Sequence, residues 1–199
     1  MEQHEFWQKI ESYLQSHYRS YASARWFGSW GGLTREREGY YIFFRVLVLI
    51  VLYLIAFYLS SYLWLKILLA IVAGYLIVEL VIMPTSIAFG GILRMRPLRA
   101  LTFVFFNYIS IGIAFGVLYV TLCRSSFNIK PELIDLAYFS FSTMATLGIG
   151  DISPARYTIF VKFLVTCEVL IGLYFWAVLV GTIIGWTVSE AKNDKSLLK

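Results

Sequence analysis

Thr143-Met144-Ala145-Thr146-Leu147-Gly148-Ile149-Gly150-Asp151 is the stretch on which the reading of this chain turns. Glycines at the alternate positions 148 and 150 mark backbone that visits positive φ at intervals, which a residue lacking Cβ does at little steric cost. Upstream, Pro131 to Ala145 reads as a short helix, with proline near its start, Glu132 and Asp135 in its early turns, then Leu136, Ala137, Tyr138, Phe139 and Phe141. That helix is too short to cross a bilayer. Apolar runs long enough to do so lie on both sides, so the helix and the glycine-spaced segment together read as a re-entrant loop. Non-helical backbone at membrane depth is tolerated only where it is buried in protein or lines a water-filled path.

Working outward, Leu101 to Leu122 and Thr158 to Val188 are the flanking spans, and Tyr41 to Leu59 and Leu63 to Met83 are two more, joined around Ser60-Ser61 as a tight helical hairpin. The chain is read as an all-α membrane protein with four transmembrane helices. Arg94, Arg96 and Arg99 follow the second span, and Lys192, Lys195 and Lys199 follow the fourth; this bias puts both termini in the cytoplasm of a multi-pass plasma-membrane protein. The re-entrant segment is then external. Residues 5 to 22 carry an aromatic-aliphatic stripe at helical spacing, expected to lie at the cytoplasmic membrane interface or to pack there, before a break at Ser29-Trp30-Gly31-Gly32. The expected divisions are 1–40 (N-terminal segment), 41–93 (hairpin), 94–100 (basic loop), 101–188 (membrane unit with the re-entrant loop) and 189–199 (tail).

The composition agrees. With 59% hydrophobic residues, the chain has more apolar surface than a soluble domain of 199 residues can bury. The net charge of +5 is spread over membrane-flanking segments without a nucleic-acid motif, so no nucleic-acid partner is expected. Cys123 and Cys167 have neither metal-site spacing nor disulfide density and read as packing residues. No cleavable-signal pattern precedes the first apolar run, so the whole chain is expected to be mature protein. Arg45 and Glu79 interrupt the hairpin at matching cytoplasmic depth, where a lone charge is costly, and are expected to form a structural ion pair. Neither hairpin span has arginine at every third position, so voltage sensing is not expected.

Residues 143 to 151 resemble the potassium-channel filter pattern T-x-x-T-x-G-[YF]-G-D, and Tyr138-Phe139-Ser140-Phe141 resembles the aromatic pore helix that precedes it. Glu168 to Tyr174 is similar to the inner helix of small bacterial members of the potassium-channel pore-domain family. The resemblance covers roughly Leu101 to Trp186. It implies a tetrameric pore, one loop per chain, with potassium held by the carbonyls of Thr146, Leu147, Gly148 and Ile149 and by the Thr146 hydroxyl. Such oxygens replace the water that the ion gives up. The pore-helix C-terminus near Ala145 directs partial negative charge toward the cavity below. No other cofactor is implied.

The same resemblance has Asp151 braced by Tyr138, and Gly150, Ser142, Thr143 and Glu168 are read as further supports of the filter. Glu168, an intramembrane acid, is expected to bond to Thr143 or Ser142, which would make filter gating respond to pH. Gly172 takes the place of the inner-helix hinge glycine, with close packing against the pore helix as the other reading. Arg94, Arg96 and Arg99 are expected to meet anionic headgroups. Ile149 departs from the pattern by replacing an aromatic residue, which keeps a weakly selective monovalent-cation channel open as an alternative. Two further readings stand below these. One is a non-conducting accessory protein. The other is an intramembrane aspartyl protease suggested by Gly148-Ile149-Gly150-Asp151, for which no second aspartate lies in spans one to three.

Overall fold

The computed structural model describes residues 37–59, 62–89, 97–155 and 158–197. These form α1 (Arg37–Leu59), α2 (Leu63–Phe89), α3 (Pro97–Leu118), α4 (Asp135–Met144) and α5 (Ile159–Leu197). The chain is a membrane protein, all-helical among the described residues. Apolar stretches long enough to cross a bilayer run over Leu63–Ile82, Leu101–Ser126 and Ile159–Gly185, and α1 contains a shorter one, Phe43–Leu59. The interfacial helix at 5 to 22, the break at 29 to 32, the Ser60-Ser61 turn, and Arg94, Arg96 and Lys199 lie outside the described residues.

The helix at the centre is α3. Its C-terminal half is buried on nearly every side, from Ser110 through Leu118 with Ile113 alone partly exposed, whereas α2 and α5 leave most of their apolar surface uncovered. Gly112, Ala114 and Gly116 make this possible, because small residues let neighbouring backbones approach closely. The packing of the two hairpin helices follows from this centre. Both α1 and α2 lie mainly against α3 and touch one another only lightly. Uniformly apolar arms have no preference for each other over lipid, so the notched helix decides where they dock.

Four boundaries move. The basic loop ends earlier than expected, because Pro97 to Ala100 already form the first turn of α3, with proline where its missing N–H costs nothing. At its other end α3 widens into a π-helical turn, Tyr119–Cys123, and then a 3₁₀ turn, Arg124–Ser126. α4 begins at Asp135 instead of Pro131, because Asp135 Oδ2 accepts the Glu132 amide at 2.7 Å and closes the preceding residues into a turn. α5 runs on to Leu197, through most of the segment expected to be a tail.

Candidate functional site

α4 stops in a closed hydrogen-bonded end. The Thr146 amide donates to the Thr143 carbonyl and the Leu147 amide to the Ser142 carbonyl, both at 2.9 Å. This reciprocal pair terminates a helix through one left-handed residue, a place usually taken by glycine. Thr146 takes it here, at φ 56°. Gly148 and Gly150 follow at φ 56° and 83°, so three alternate residues are left-handed where glycine spacing had marked two. A left-handed threonine costs about 1–2 kcal/mol. The two bonds at the helix end hold it there. Residues 146 to 150 are exposed in the single chain, Leu147 at 65% and Ile149 at 54%.

Behind this segment, three helices share one buried polar network. Glu168 on α5 is fully buried; its Oε2 accepts the Tyr119 hydroxyl at 2.6 Å, and its Oε1 is joined to the Ser140 hydroxyl. The Ser140 oxygen also lies 2.7 Å from the Gly112 carbonyl oxygen, so its one proton serves one of these two contacts. The partners expected of Glu168, Thr143 and Ser142, are therefore replaced by Ser140 and Tyr119. The reason is register. Gly172 lies against Met144, α4 and α5 run in the same direction, and stepping back four residues on each brings Glu168 to Ser140. Ser142 instead bonds to the Phe139 carbonyl at 2.9 Å, and Thr143 is buried. Tyr119 reaches the network from the π turn.

Close approaches fix α4 in position. A Cβ built on Gly172 would stand 2.5 Å from the Met144 carbonyl oxygen, and one on Gly112 would stand 2.6 Å from the Phe141 ring. Rings of Tyr119, Phe127 and Phe139 meet edge to face at centroid distances of 5.1 to 5.9 Å, a favourable arrangement of their quadrupoles. Asn128 then ties down the segment that leaves the loop. Its Oδ1 accepts the Ser153 amide at 2.9 Å, its amide donates to the Ser153 carbonyl at 3.0 Å, and its Nδ2 donates to the Asp151 carbonyl at 3.4 Å. Partial loss of solvent and the neighbouring Asp151 carboxylate hold the Tyr138 phenol above the ordinary tyrosine range.

Comparison with known proteins meets this geometry. Residues 103–189 match the family model described as "Ion channel", a span that takes in α4, the glycine-spaced loop and most of α3 and α5. Residues 103–189 are thus similar to that ion-channel family. Over 83 residues, 41% of the chain, the sequence is 31% identical to two-pore potassium channel 2 of Arabidopsis thaliana, and the match takes in 18% of that protein's length. No solved structure matches it.

Several supports of the loop were invisible to sequence reasoning. Tyr119, Ser140, Asn128 and Gly112 carry no local motif, and a weak signal existed only in Ser140, a hydroxyl on the apolar α4. Away from the loop, Arg45 and Glu79 are both buried, and Arg45 Nη2 donates to Oδ1 of the fully buried Asn107 on α3. Asn107 is a partner that charge counting does not find. Gly172 sits within an unbroken α5. Among the described residues no cluster of His, Cys, Asp or Glu suits a transition metal.

Proposed function

We propose that copies of this chain assemble as a tetramer around the loop and conduct potassium passively through it. One observation carries the reading: φ is positive at Thr146, Gly148 and Gly150, directly after a helix that ends at the loop. A backbone alternating the sign of φ turns successive peptides alike, so their carbonyls collect along one side instead of alternating as in a strand. Four such edges around an axis replace the hydration shell of a bare cation. The carbonyls of Thr146, Leu147, Gly148 and Ile149 form the rings, and the Thr146 hydroxyl adds the innermost one. Exposure of Leu147 and Ile149 in a single chain supports assembly, since apolar groups at such a site are covered by neighbouring copies.

The helix end at Ala145 favours a cation below the loop, and Asp151 raises the cation concentration at the mouth. In this reading both termini are cytoplasmic in the plasma membrane, Arg45 and Glu79 offset each other's charge, and Arg94, Arg96 and Arg99 meet anionic lipid.

Purified protein in planar bilayers tests conduction. Under a potassium-to-sodium gradient the reversal potential is expected near the potassium equilibrium value, with block by barium and loss of current in Gly148→Ala. A reversal potential near zero would instead support the weakly selective cation channel. That reading draws on Ile149, a side chain 54% exposed and without a polar atom to anchor the loop. Absence of any current from assembled protein rejects both.

A further inference from the structure

The two helices that precede the pore half have no role in the conduction reading, yet one of them touches the pore helix directly. Tyr53 on α1 is buried, and its hydroxyl donates to the Leu133 carbonyl, two residues before α4 begins. The backbone amide of Ala137, the third residue of α4, meets the same hydroxyl. Tyr53 thus stands between the carbonyl and amide that would otherwise bond within the first helical turn. It reaches this place by crossing α3 at a notch. A Cβ on Gly116 would stand 3.1 Å from the Tyr53 ring and 3.6 Å from Ala137 Cα, so the missing side chain is what brings α1 and α4 together. One turn further along α1, Arg124 Nη1 donates to the Phe57 carbonyl at 3.1 Å, and its guanidinium lies 4.0 Å from the Phe57 ring centre. This second clasp holds the same end of α1 to the outer end of α3.

We propose that Tyr53 is a positioning residue for the conducting loop, and that α1 serves as a strut setting the seat of the pore helix. The proposal rests on the conduction reading for its functional consequence. Its mechanics follow from the helix: α4 has 10 residues, a rod of about 15 Å. Its far end is hydrogen-bonded into the loop through Ser142 and Leu147. A displacement at Leu133 is therefore delivered to Thr146 and Gly148 instead of being absorbed by a flexible joint. The hydroxyl supplies a bond to a turn that has no side-chain cap of its own.

The test uses the full chain in bilayers with Tyr53→Phe, which removes only the hydroxyl, and Gly116→Ala, which pushes the ring out of its notch. Tyr58→Phe, on the same helix but 68% exposed, is the control. Both test variants are expected to assemble and to raise the sodium-to-potassium permeability ratio, or to speed current decay at the loop, by about fivefold, the weight of one ordinary hydrogen bond. Combined, they should do no more than the stronger of the two, and the control should match the parent chain. Parental selectivity and decay in Tyr53→Phe overturn the proposal. If the parent chain carries no current, the conduction reading fails, and amide hydrogen exchange then decides the strut alone. Faster exchange over residues 134–138 in Tyr53→Phe, with residues 104–118 unchanged, supports it, and identical exchange overturns it.

Discussion

Gly172→Ala separates the two things this glycine can do. The added Cβ would stand 2.5 Å from the Met144 carbonyl oxygen, 3.1 Å from its Cα and 3.2 Å from its carbonyl carbon. A carbon normally approaches such an oxygen no closer than about 3.3 Å, so α5 and the end of α4 must separate by roughly 0.8 Å. No side chain can yield in their place, because the three nearest atoms are all backbone. Overpacking of this kind costs about 1–3 kcal/mol, set against up to about 1 kcal/mol that alanine gains over glycine within a helix. The net loss recurs in every subunit of the proposed tetramer. The displaced end is also the one from which Thr146 and Leu147 hang. Thermal dissociation of the assembly, followed by sizing, should therefore occur at a lower temperature, and reversal potentials should move toward sodium. A pure hinge gives the opposite pattern: equal or greater stability, fewer openings and unchanged selectivity. That outcome would refute the packing argument.

Two further substitutions probe the buried supports. Glu168→Gln keeps one acceptor for Tyr119 and one amide for Ser140, so its stability should fall within about 1 kcal/mol of the parent, whereas Glu168→Ala strands the Tyr119 hydroxyl, leaves Ser140 only the Gly112 carbonyl, and opens a void, costing about 3 kcal/mol in all. Thermal unfolding in detergent compares them, and equal stability of the two variants contradicts the network. Asn128→Ala deletes the side-chain bonds to Ser153 and Asp151 and should loosen the segment leaving the loop by about 1–2 kcal/mol. Hydrogen exchange at the Ser153 amide reads this directly, and an unaltered rate there counts against the assignment.

How far the chain could be read in advance depended on the range of the interaction. The short helix and the loop after it were legible because apolar runs, a proline, early acids and spaced glycines act within a few residues of themselves. Thr146 was not marked, because threonine has no intrinsic preference for the left-handed region and adopts it only under the two bonds from Ser142 and Thr143. The start of α4 was misplaced for a related reason. Pro131 is suited to a first turn, but the Asp135 carboxylate and the Tyr53 hydroxyl engage the residues that would have formed it. Charge matching at Arg45 and Glu79 found two buried residues and missed Asn107, because an uncharged amide within an apolar helix leaves no depth signal.

By itself, the sequence determined that the chain is a helical membrane protein and where its short helix and glycine-spaced loop fall, since lipid demands long apolar helices and glycine is cheap only where φ turns positive. Tertiary structure alone decided which side chains hold that loop. Glu168 meets Ser140 because α5 and α4 run in register past Gly172, and Tyr53 meets Leu133 because Gly116 leaves a gap for it. Such contacts depend on how two helix surfaces fit, and neither surface encodes the other's position until they are pressed together.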